Sequence, residues 1–191
     1  MTTKKTIFRE KSLKRLRNLP KVSKIYRAYL VQKQLEKLLL GKKNQKILFY
    51  YPLKMEVDLR KLLTKLRKKN EIFIPFMVGQ SFKMVPFRLP LHRKKFNIYE
   101  AGNSHKDIRK IDIAIVPVVG VDANLQRVGF GKGMYDRFFE SLQKKPTTIF
   151  IQEEFCYTDV SVCDSYDIAA DKVITPKKSV KKRRYRITNV K

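Results

Sequence analysis

The sequence predicts an α/β fold with a mostly parallel β-sheet, and three stretches carry this prediction. Residues 46–51 and 71–75 are short apolar strands, and the segment 56–68 between them has the pattern of a helix. A strand–helix–strand order implies a parallel pair joined by a right-handed crossover. Residues 111–119 form a continuous apolar run, typical of a central strand buried on both faces. A glycine-rich loop and a helix over about 135–143 follow, so we expect both at the carboxyl edge of the sheet.

Two helices are predicted before the first strand. Residues 4–18 are basic, with apolar side chains falling roughly on one helical face. Residues 22–40 form the second helix, and Gly41 follows at the position where glycine commonly ends a helix. Glu56 is predicted to open the helix 56–68, where the helix dipole favours a carboxylate.

The second half of the chain supplies further strands and a tail. Residues 83–88 predict an edge strand, because Pro86 cannot donate a hydrogen bond to a ladder. Residues 147–151 predict another strand, and residues 167–175 predict an acidic turn followed by a short apolar strand. Residues 177–191 contain eight basic residues and no acidic one, so they are predicted to form a mobile tail.

Length and composition indicate one domain with its own core. The chain has 191 residues, of which 43% are hydrophobic. No apolar run approaches the roughly 20 residues that span a bilayer, and no apolar segment typical of a signal peptide follows the basic start. Cys156 and Cys163 give neither a disulfide framework nor a CxxC motif, so we expect core or surface thiols in a reduced cytoplasm.

The net charge of +27 is extreme for a chain of this size. A field of this sign gathers anions and supports non-specific binding to nucleic acid. The same charge also suits a site for ATP and a polyanionic small molecule. A solvated lysine-rich surface without a partner is the third interpretation.

The glycine-rich loop is the strongest functional signal. Gly129, Gly131 and Gly133 stand beside Arg127 and Lys132 and just before a predicted helix. Glycines let the backbone approach a phosphate closely, and the first N–H groups of a helix are unpaired. The spacing fits neither a Walker A loop nor a dinucleotide fingerprint. We interpret the loop as a phosphate-binding loop, with an ordinary tight hairpin and helix start as the alternative.

A family resemblance follows from this loop and its flanks. The stretch from Arg127 to Arg137 reads Arg-x-Gly-x-Gly-Lys-Gly-x-Tyr-Asp-Arg and resembles the 5-formyltetrahydrofolate cyclo-ligases, also called 5,10-methenyltetrahydrofolate synthetases. The resemblance covers about residues 5–175 in order. The supporting matches are Lys5 and Arg9 in the first helix, Glu56 with Val57, and Asp167 with Asp171.

The resemblance implies a single Rossmann-like, three-layer α/β domain over residues 1–176, with N-terminal helices and the basic tail 177–191 after it. It implies ATP- and magnesium-dependent conversion of 5-formyltetrahydrofolate to 5,10-methenyltetrahydrofolate, with release of ADP and phosphate. The formyl oxygen would be phosphorylated, the folate N10 would attack, and phosphate would leave. The implied partners are ATP and a reduced folate, with or without a polyglutamate tail. We expect a cytoplasmic monomer.

Site residues follow from the same resemblance. The catalytic candidates are Arg127, Lys132 and Asp136, and Asp136 is also the candidate magnesium ligand because it is the carboxylate beside the loop. The substrate-binding candidates are Glu56, Phe96, Glu100 and Tyr135. The ATP-binding candidates are Lys5, Arg9, Arg127, Gly129, Phe130, Gly131, Lys132, Gly133, Met134, Tyr135 and Asp136.

Two alternatives to this enzyme stay open. The first is a basic nucleic-acid-binding α/β protein, which the charge and the tail favour. The second is a relative of the cyclo-ligases without the activity, because three segments depart from the family pattern. Met134 replaces the first of two tyrosines, Ala101 replaces a proline, and residues 117–121 have a displaced glycine and lack an aromatic residue.

Overall fold

The computed structural model describes residues 3–93, 99–104, 108 and 110–181, which form four helices, a seven-stranded sheet and two short hairpins. The helices are α1 (Lys4–Arg17), α2 (Lys24–Leu39), α3 (Arg60–Leu66) and α4 (Met134–Glu140). The strands are β1 (Lys46–Leu48), β2 (Glu71–Val78), β3 (Ser81–Pro86), β4 (His92–Arg93), β5 (Tyr99–Glu100), β6 (Ile113–Pro117), β7 (Gly120–Val121), β8 (Arg127–Val128), β9 (Thr147–Ile151), β10 (Lys172–Ile174) and β11 (Ser179–Lys181).

The central sheet is mostly parallel, as predicted. Its strand order is β11-β10-β9-β6-β1-β2-β3, and the five inner strands pair in parallel. Only the two edge strands, β3 and β11, run antiparallel to their neighbours. The β1–α3–β2 unit is the predicted crossover, with Ile47 opposite Ile72. The apolar run that was predicted to be central is β6, which lies fourth of the seven strands.

Helices cover both faces of the sheet, which makes the domain three-layered. Side chains of a strand point alternately to the two faces. Ile113 and Ile115 of β6 accordingly pack in one core with α2 and α3, whereas Ala114 and Val116 pack in a second core with Phe138 of α4. The predicted three-layer α/β class is confirmed.

The first helix does not cover a face but crosses the carboxyl edge of the sheet. Leu16 of α1 is buried with Val119, just after β6, and with Cys156, just after β9; Phe8 packs against them. The Phe8 ring also fills the space beside Gly120, where a Cβ atom would lie 2.6 Å from it. This packing holds the polar side of α1 over the loops at that edge.

The helix expected to begin at Glu56 begins four residues later, so that boundary was wrong. α3 starts at Arg60, whose backbone N–H donates to the Asp58 carboxylate at 3.0 Å. The carboxylate next to the helix start is therefore that of Asp58, one residue before the N-cap Leu59, and not that of Glu56. Glu56 lies in the preceding turn, where its carboxylate accepts from the Leu53 N–H at 2.8 Å.

Two further local features differ from the prediction. The strand expected to end at Pro75 continues to Val78, because β3 pairs along its whole length. β1 pairs with β2 only as far as Phe73. Pro75 lies beyond that residue, so its missing N–H removes no hydrogen bond between β1 and β2. The stretch after β6 also forms the antiparallel hairpin β7–β8 before the glycine loop begins.

The sheet extends into the segment that was predicted to be a tail. Residues Ser179–Lys181 form β11, in register with β10 and with Val180 opposite Val173. These three residues are therefore part of the sheet rather than mobile. The remaining tail residues, 182–191, lie outside the described part of the chain. Among the described helices, none combines the length and the apolar character that crossing a membrane requires.

Candidate active site

The glycine loop is held in place by a buried aspartate at the tip of the β7–β8 hairpin. One oxygen of the Asp122 carboxylate accepts from the N–H groups of Asn124 and Gln126, at 3.0 and 2.9 Å. The other accepts from Val162 and Cys163, at 3.3 and 3.2 Å. Asp122 is fully buried. Its four hydrogen bonds join the hairpin to the chain segment that precedes Asp167. It fixes the position of β8, from which the loop starts.

Arg127 is the buried cation at the base of the loop. Its guanidinium donates to the Pro117 carbonyl at 3.3 Å, lies 3.7 Å from the Asp136 carboxylate and sits 4.8 Å from the centre of the Tyr135 ring. Burial lowers the pKa of Arg127, and the charge of Asp136 acts in the opposite direction. An arginine stays protonated in this setting because its ordinary pKa lies far above neutral pH.

Steric constraints explain why the loop carries glycines at these positions. A Cβ atom at Gly129 would lie 2.3 Å from Nη1 of Arg127, so a side chain there would collide with the buried guanidinium. Gly131 and Gly133 have φ values of +95° and +61°, which side-chain-bearing residues rarely adopt. The loop therefore exposes backbone at a position where larger residues would either clash or be strained.

Helix α1 brings two cations to this loop from the start of the chain. Arg9 donates from Nε to the Gly129 carbonyl at 2.9 Å. Lys5 forms an ion pair with the buried carboxylate of Asp167 and lies 3.4 Å from Asp164. Burial is the largest single influence and acts to lower the pKa of Lys5, but the hydrogen bond to Asp167 and the charges of Asp167, Cys163 and Asp164 together outweigh it, so that pKa is raised. Lys5 is therefore a fixed positive charge at neutral pH.

Together these residues surround an open cavity of about 480 Å³. Five cationic side chains and three carboxylates line it, which suits a polyanion accompanied by a metal ion. Its lining consists of Lys5, Arg9, Arg127, Gly129, Gly131, Lys132, Gly133, Asp136, Arg137, Glu140, Tyr166 and Asp167.

A larger open cavity of about 1380 Å³ adjoins the first one. The two share Asp136, Glu140, Tyr166 and Asp167. The larger cavity follows the flank of α4 towards β11 and contains none of the loop glycines. Because the loop and the cations of α1 line only the smaller cavity, that cavity is the candidate anion site.

Glu56 is buried close enough to Arg127 and Tyr135 to interact with their charges, and it does not line the smaller cavity. Burial raises the pKa of the Glu56 carboxyl to about 7, against the Leu53 hydrogen bond and the charges of Arg127 and Lys24, which lower it. Burial also raises the pKa of Tyr135, and the Glu56 charge adds to that shift. Glu56, Tyr135 and Arg127 therefore interact electrostatically as one group.

The remaining predicted site residues lie outside the smaller cavity. Glu100 is buried, and its carboxylate accepts from the Met77 N–H at 3.1 Å, which joins β5 to β2. Phe130 is exposed on the loop, and Met134 packs against the second core as the first residue of α4. Phe96 lies outside the described residues.

The two cysteines have the surroundings of ordinary thiols. Cys156 is buried beside α1, and Cys163 is half-buried beside Asp122. Burial raises the pKa of both thiols, that of Cys163 to about 12. A thiol with a raised pKa is a poor nucleophile at neutral pH, which fits the expectation of core or surface thiols.

This arrangement can be compared with known proteins. The family model for 5-formyltetrahydrofolate cyclo-ligases matches residues 1–176. The chain belongs to this family. The cyclo-ligase of Mycoplasma genitalium is 28% identical over 147 residues, which are 73% of this chain and 86% of that protein. The cyclo-ligase of Mycoplasma pneumoniae is 35% identical over 65 residues, which are 34% of this chain but only 39% of that protein.

Solved structures of cyclo-ligase relatives share the fold over almost the whole chain. The 5,10-methenyltetrahydrofolate synthetase of Aquifex aeolicus is 26% identical, with a TM-score of 0.81 and coverage of 97% of this chain and 96% of that one. The synthetase of Mycoplasma pneumoniae is 23% identical, with a TM-score of 0.72 and coverage of 91% and 99%, which shows the fold alone. The family resemblance inferred from the loop motif is confirmed.

Several residues of the cavity were not among the predicted site residues of this cyclo-ligase relative. They are Arg137, Glu140, Tyr166 and Asp167. Arg137 donates to the Gln80 carbonyl at 3.0 Å and to the Lys132 carbonyl at 2.5 Å. It thereby ties the glycine loop to the turn between β2 and β3. In the sequence, the only indication of a role for Arg137 was its position at the end of the loop motif.

Proposed function

We propose that the protein catalyses the ATP- and magnesium-dependent cyclisation of 5-formyltetrahydrofolate to 5,10-methenyltetrahydrofolate. The observation that carries this proposal is the cavity in which α1, the glycine loop and Asp136 meet. Membership of the cyclo-ligase family supports the reaction and the use of ATP. ATP transfers its terminal phosphoryl group to the formyl oxygen, N10 of the folate attacks the activated carbon, and phosphate and ADP leave.

The triphosphate would lie along the glycine loop. Lys132 is exposed at the cavity mouth, and Lys5 and Arg9 face the loop from α1. Phosphoryl transfer needs positioning and neutralised charge rather than a nucleophilic side chain. The thiols, whose pKa values are raised, are not required for this chemistry.

Magnesium fits the carboxylates of this cavity. Asp136 and Asp167 both line it, and Mg²⁺ is commonly held by one or two carboxylates together with substrate phosphates. Within the described residues, no group of three or more metal-binding side chains is found, so the phosphates would complete the coordination. When bound, the ion would neutralise the charge of the transferred phosphoryl group.

The folate would lie on the Glu56 side of Arg127. Tyr135 and Glu56 flank the guanidinium from that side, so a formyl group near Arg127 would reach the end of the triphosphate. A carboxyl with a pKa of about 7 can donate or accept a hydrogen bond with the reduced ring of the folate. Phe96 and Glu100 remain candidate contacts of the folate.

The first test is an assay of the purified protein with ATP, Mg²⁺ and 5-formyltetrahydrofolate. We expect the absorbance of the methenyl product to appear only when ATP is present. Lys132→Ala and Asp136→Ala should each lower kcat/KM about 100- to 1000-fold, the range typical of removing a group that stabilises transferred charge. Lys144→Ala and Asp159→Ala, at exposed positions away from the cavity, are the matched controls. A wild-type protein without ATP-dependent product would refute the proposal.

A second prediction concerns Arg137 as a positioning residue. Arg137→Ala removes the bonds to the Gln80 and Lys132 carbonyls, so the loop should lose its fixed position. We expect KM for ATP to rise about tenfold, as for the loss of one or two charged hydrogen bonds, with KM for the folate unchanged. Arg137→Lys should restore part of the ATP affinity, and Arg67→Ala, at an exposed arginine after α3, should change neither constant. Equal rises in both KM values would contradict the positioning role.

The departures from the family pattern are compatible with activity. Met134 is held by packing against the second core, and its carbonyl accepts from the Ser81 hydroxyl at 3.3 Å. Tyr135, which follows it, keeps its contact with Arg127. Ala101 is buried in the first core. We therefore favour the active enzyme over the inactive relative.

The working state of the enzyme is proposed to be a cytoplasmic monomer. Non-specific nucleic-acid contact through the basic segment 177–191 is proposed as a secondary property.

A further inference from the structure

Helix α2 carries an exposed apolar face that is separate from the candidate active site. One side of the helix is buried in the first core through Ala28, Val31, Leu35 and Leu39. The opposite side presents Ile25, Tyr26 and Tyr29, and Val22 lies in the turn just before the helix; the exposed fractions of Val22, Ile25, Tyr26 and Tyr29 are 96%, 84%, 62% and 54%. We call these four residues the tyrosine face. The lining of neither cavity includes any of them.

The two rings of the tyrosine face are already arranged as a pair. The ring centres of Tyr26 and Tyr29 are 6.5 Å apart, and the ring planes are inclined by 25°. Exposed apolar residues that occur singly need no explanation, but a contiguous group on one helix face commonly marks an interaction site. Flat aromatic surfaces open to solvent suit a partner that also has flat surfaces.

Cations continue the same side of the helix. Ile25, Tyr29, Lys33 and Lys37 follow one another at intervals of four residues, so their side chains form one row along the helix. Lys33 and Lys37 are both exposed. The only acidic residue of α2 is Glu36, and it forms an ion pair with Lys65. The row therefore leads from aromatic rings to exposed positive charge.

The charge of the chain decides between possible occupants. A second copy would bring another net charge of +27 against this one, and lysines from both copies would be crowded together. A polyanion is attracted by the same charge. Single-stranded nucleic acid combines phosphates with bases that stack on aromatic side chains, which matches both parts of the row. We propose that the tyrosine face, with Lys33 and Lys37, binds single-stranded nucleic acid without sequence preference.

In this complex, bases stack on Tyr26 and Tyr29 while neighbouring phosphates contact Lys33 and Lys37. Stacking on an aromatic side chain contributes about 1–3 kcal/mol per base, and each neutralised phosphate adds to the salt dependence. The two contributions can be separated by experiment, because removal of a ring leaves the salt dependence intact whereas removal of a lysine lowers it. The site is independent of ATP and of the proposed reaction.

The test measures binding of a fluorescent 12-nucleotide oligouridylate to the full chain by anisotropy at several salt concentrations. Tyr26→Ala/Tyr29→Ala should weaken binding at least tenfold with an unchanged salt slope. Lys33→Gln/Lys37→Gln should weaken binding and reduce the slope of log K against log salt by about 1.4, the value for two phosphates on a single strand. Tyr157→Ala removes an exposed tyrosine that is not on α2 and is the control; it should bind as the wild type does.

Three outcomes would overturn the proposal. The first is unchanged affinity in the tyrosine double variant, which would assign binding to other basic segments. The second is equal affinity for a duplex of the same length, because paired bases cannot stack on these rings. The third is a dimer that dissociates in the double variant by light scattering, which would make a second copy the occupant. All substituted side chains are exposed, so thermal unfolding should be unchanged, and that measurement verifies that the variants are folded.

Discussion

Gly129→Ala is expected to lower kcat/KM of the proposed cyclisation about 100- to 1000-fold, as for the loss of a charge-stabilising group. The new Cβ atom would lie 2.3 Å from Nη1 of Arg127. The methyl group fits only if the guanidinium of Arg127 moves. That guanidinium is held by the Pro117 carbonyl, Asp136 and the Tyr135 ring. Displacing it removes the positive charge from the base of the loop. The overpacking should also lower the free energy of unfolding by about 1–3 kcal/mol.

The displacement of Arg127 can be tested with a double-mutant cycle. Arg127→Met takes away the atoms with which the new methyl group collides. Gly129→Ala should therefore cost much less stability in the Arg127→Met background than in the wild type. Gly102→Ala is the control, because no atom lies within 4 Å of its Cβ position and its φ is not positive. Equal effects of Gly129→Ala in both backgrounds, in urea unfolding and ATP titration, would show that the clash is not the cause.

Glu56→Gln is expected to make the protein more stable at high pH and to leave its stability at low pH almost unchanged. Burial raises the folded-state pKa of Glu56 from 4.5 to about 7, so the folded protein holds this proton more tightly than the unfolded chain does. The stability that the proton contributes is complete below about pH 4.5 and is lost as the pH rises through 7. A shift of this size corresponds to about 3 kcal/mol. The amide oxygen of the substituted side chain can still accept from the Leu53 N–H, so the turn is preserved.

The measurement is the free energy of unfolding in urea between pH 5 and pH 8, for the wild type and for Glu56→Gln. The difference between the two should grow with pH and level off at about pH 8, with the variant more stable by up to about 3 kcal/mol. Taking the difference removes the contributions of all other titrating groups that the two proteins share. Glu71→Gln, at an exposed carboxylate on β2, is the control and should give a flat difference. A flat difference for Glu56→Gln as well would mean that Glu56 is ionised in the folded protein.

Local sequence patterns predicted the sheet and the loop because short stretches of sequence specify both. The apolar run around Ile113–Pro117 and the crossover between β1 and β2 need only their own residues to be recognised. The loop motif from Arg127 to Arg137 was likewise complete within eleven positions. That motif gave the family.

Pairings between distant residues had no such local signal. Lys5 has many acidic residues within possible reach along the chain, and only the fold shows that Asp167 is its partner, 162 positions away. The link from Arg137 to Gln80 is of the same kind. The position of Glu56 was predicted wrongly for another reason. Charged residues are mostly exposed, so the sequence does not predict a carboxylate with only 9% exposure in the turn before a helix. Its burial, and hence its raised pKa, depends on packing in the folded protein that the residues around Glu56 in the sequence do not reveal.

The position of α1 has a consequence for how the protein matures during synthesis. Lys5 and Arg9 are made before the glycine loop, whereas Asp167 and the strand β10 that follows it are made after the loop. A nascent chain that has not reached Asp167 has the glycine loop but lacks the acidic partner that holds Lys5 above it. The candidate anion site is therefore completed only after Asp167 has been made, and until then its lysine from α1 has no fixed position.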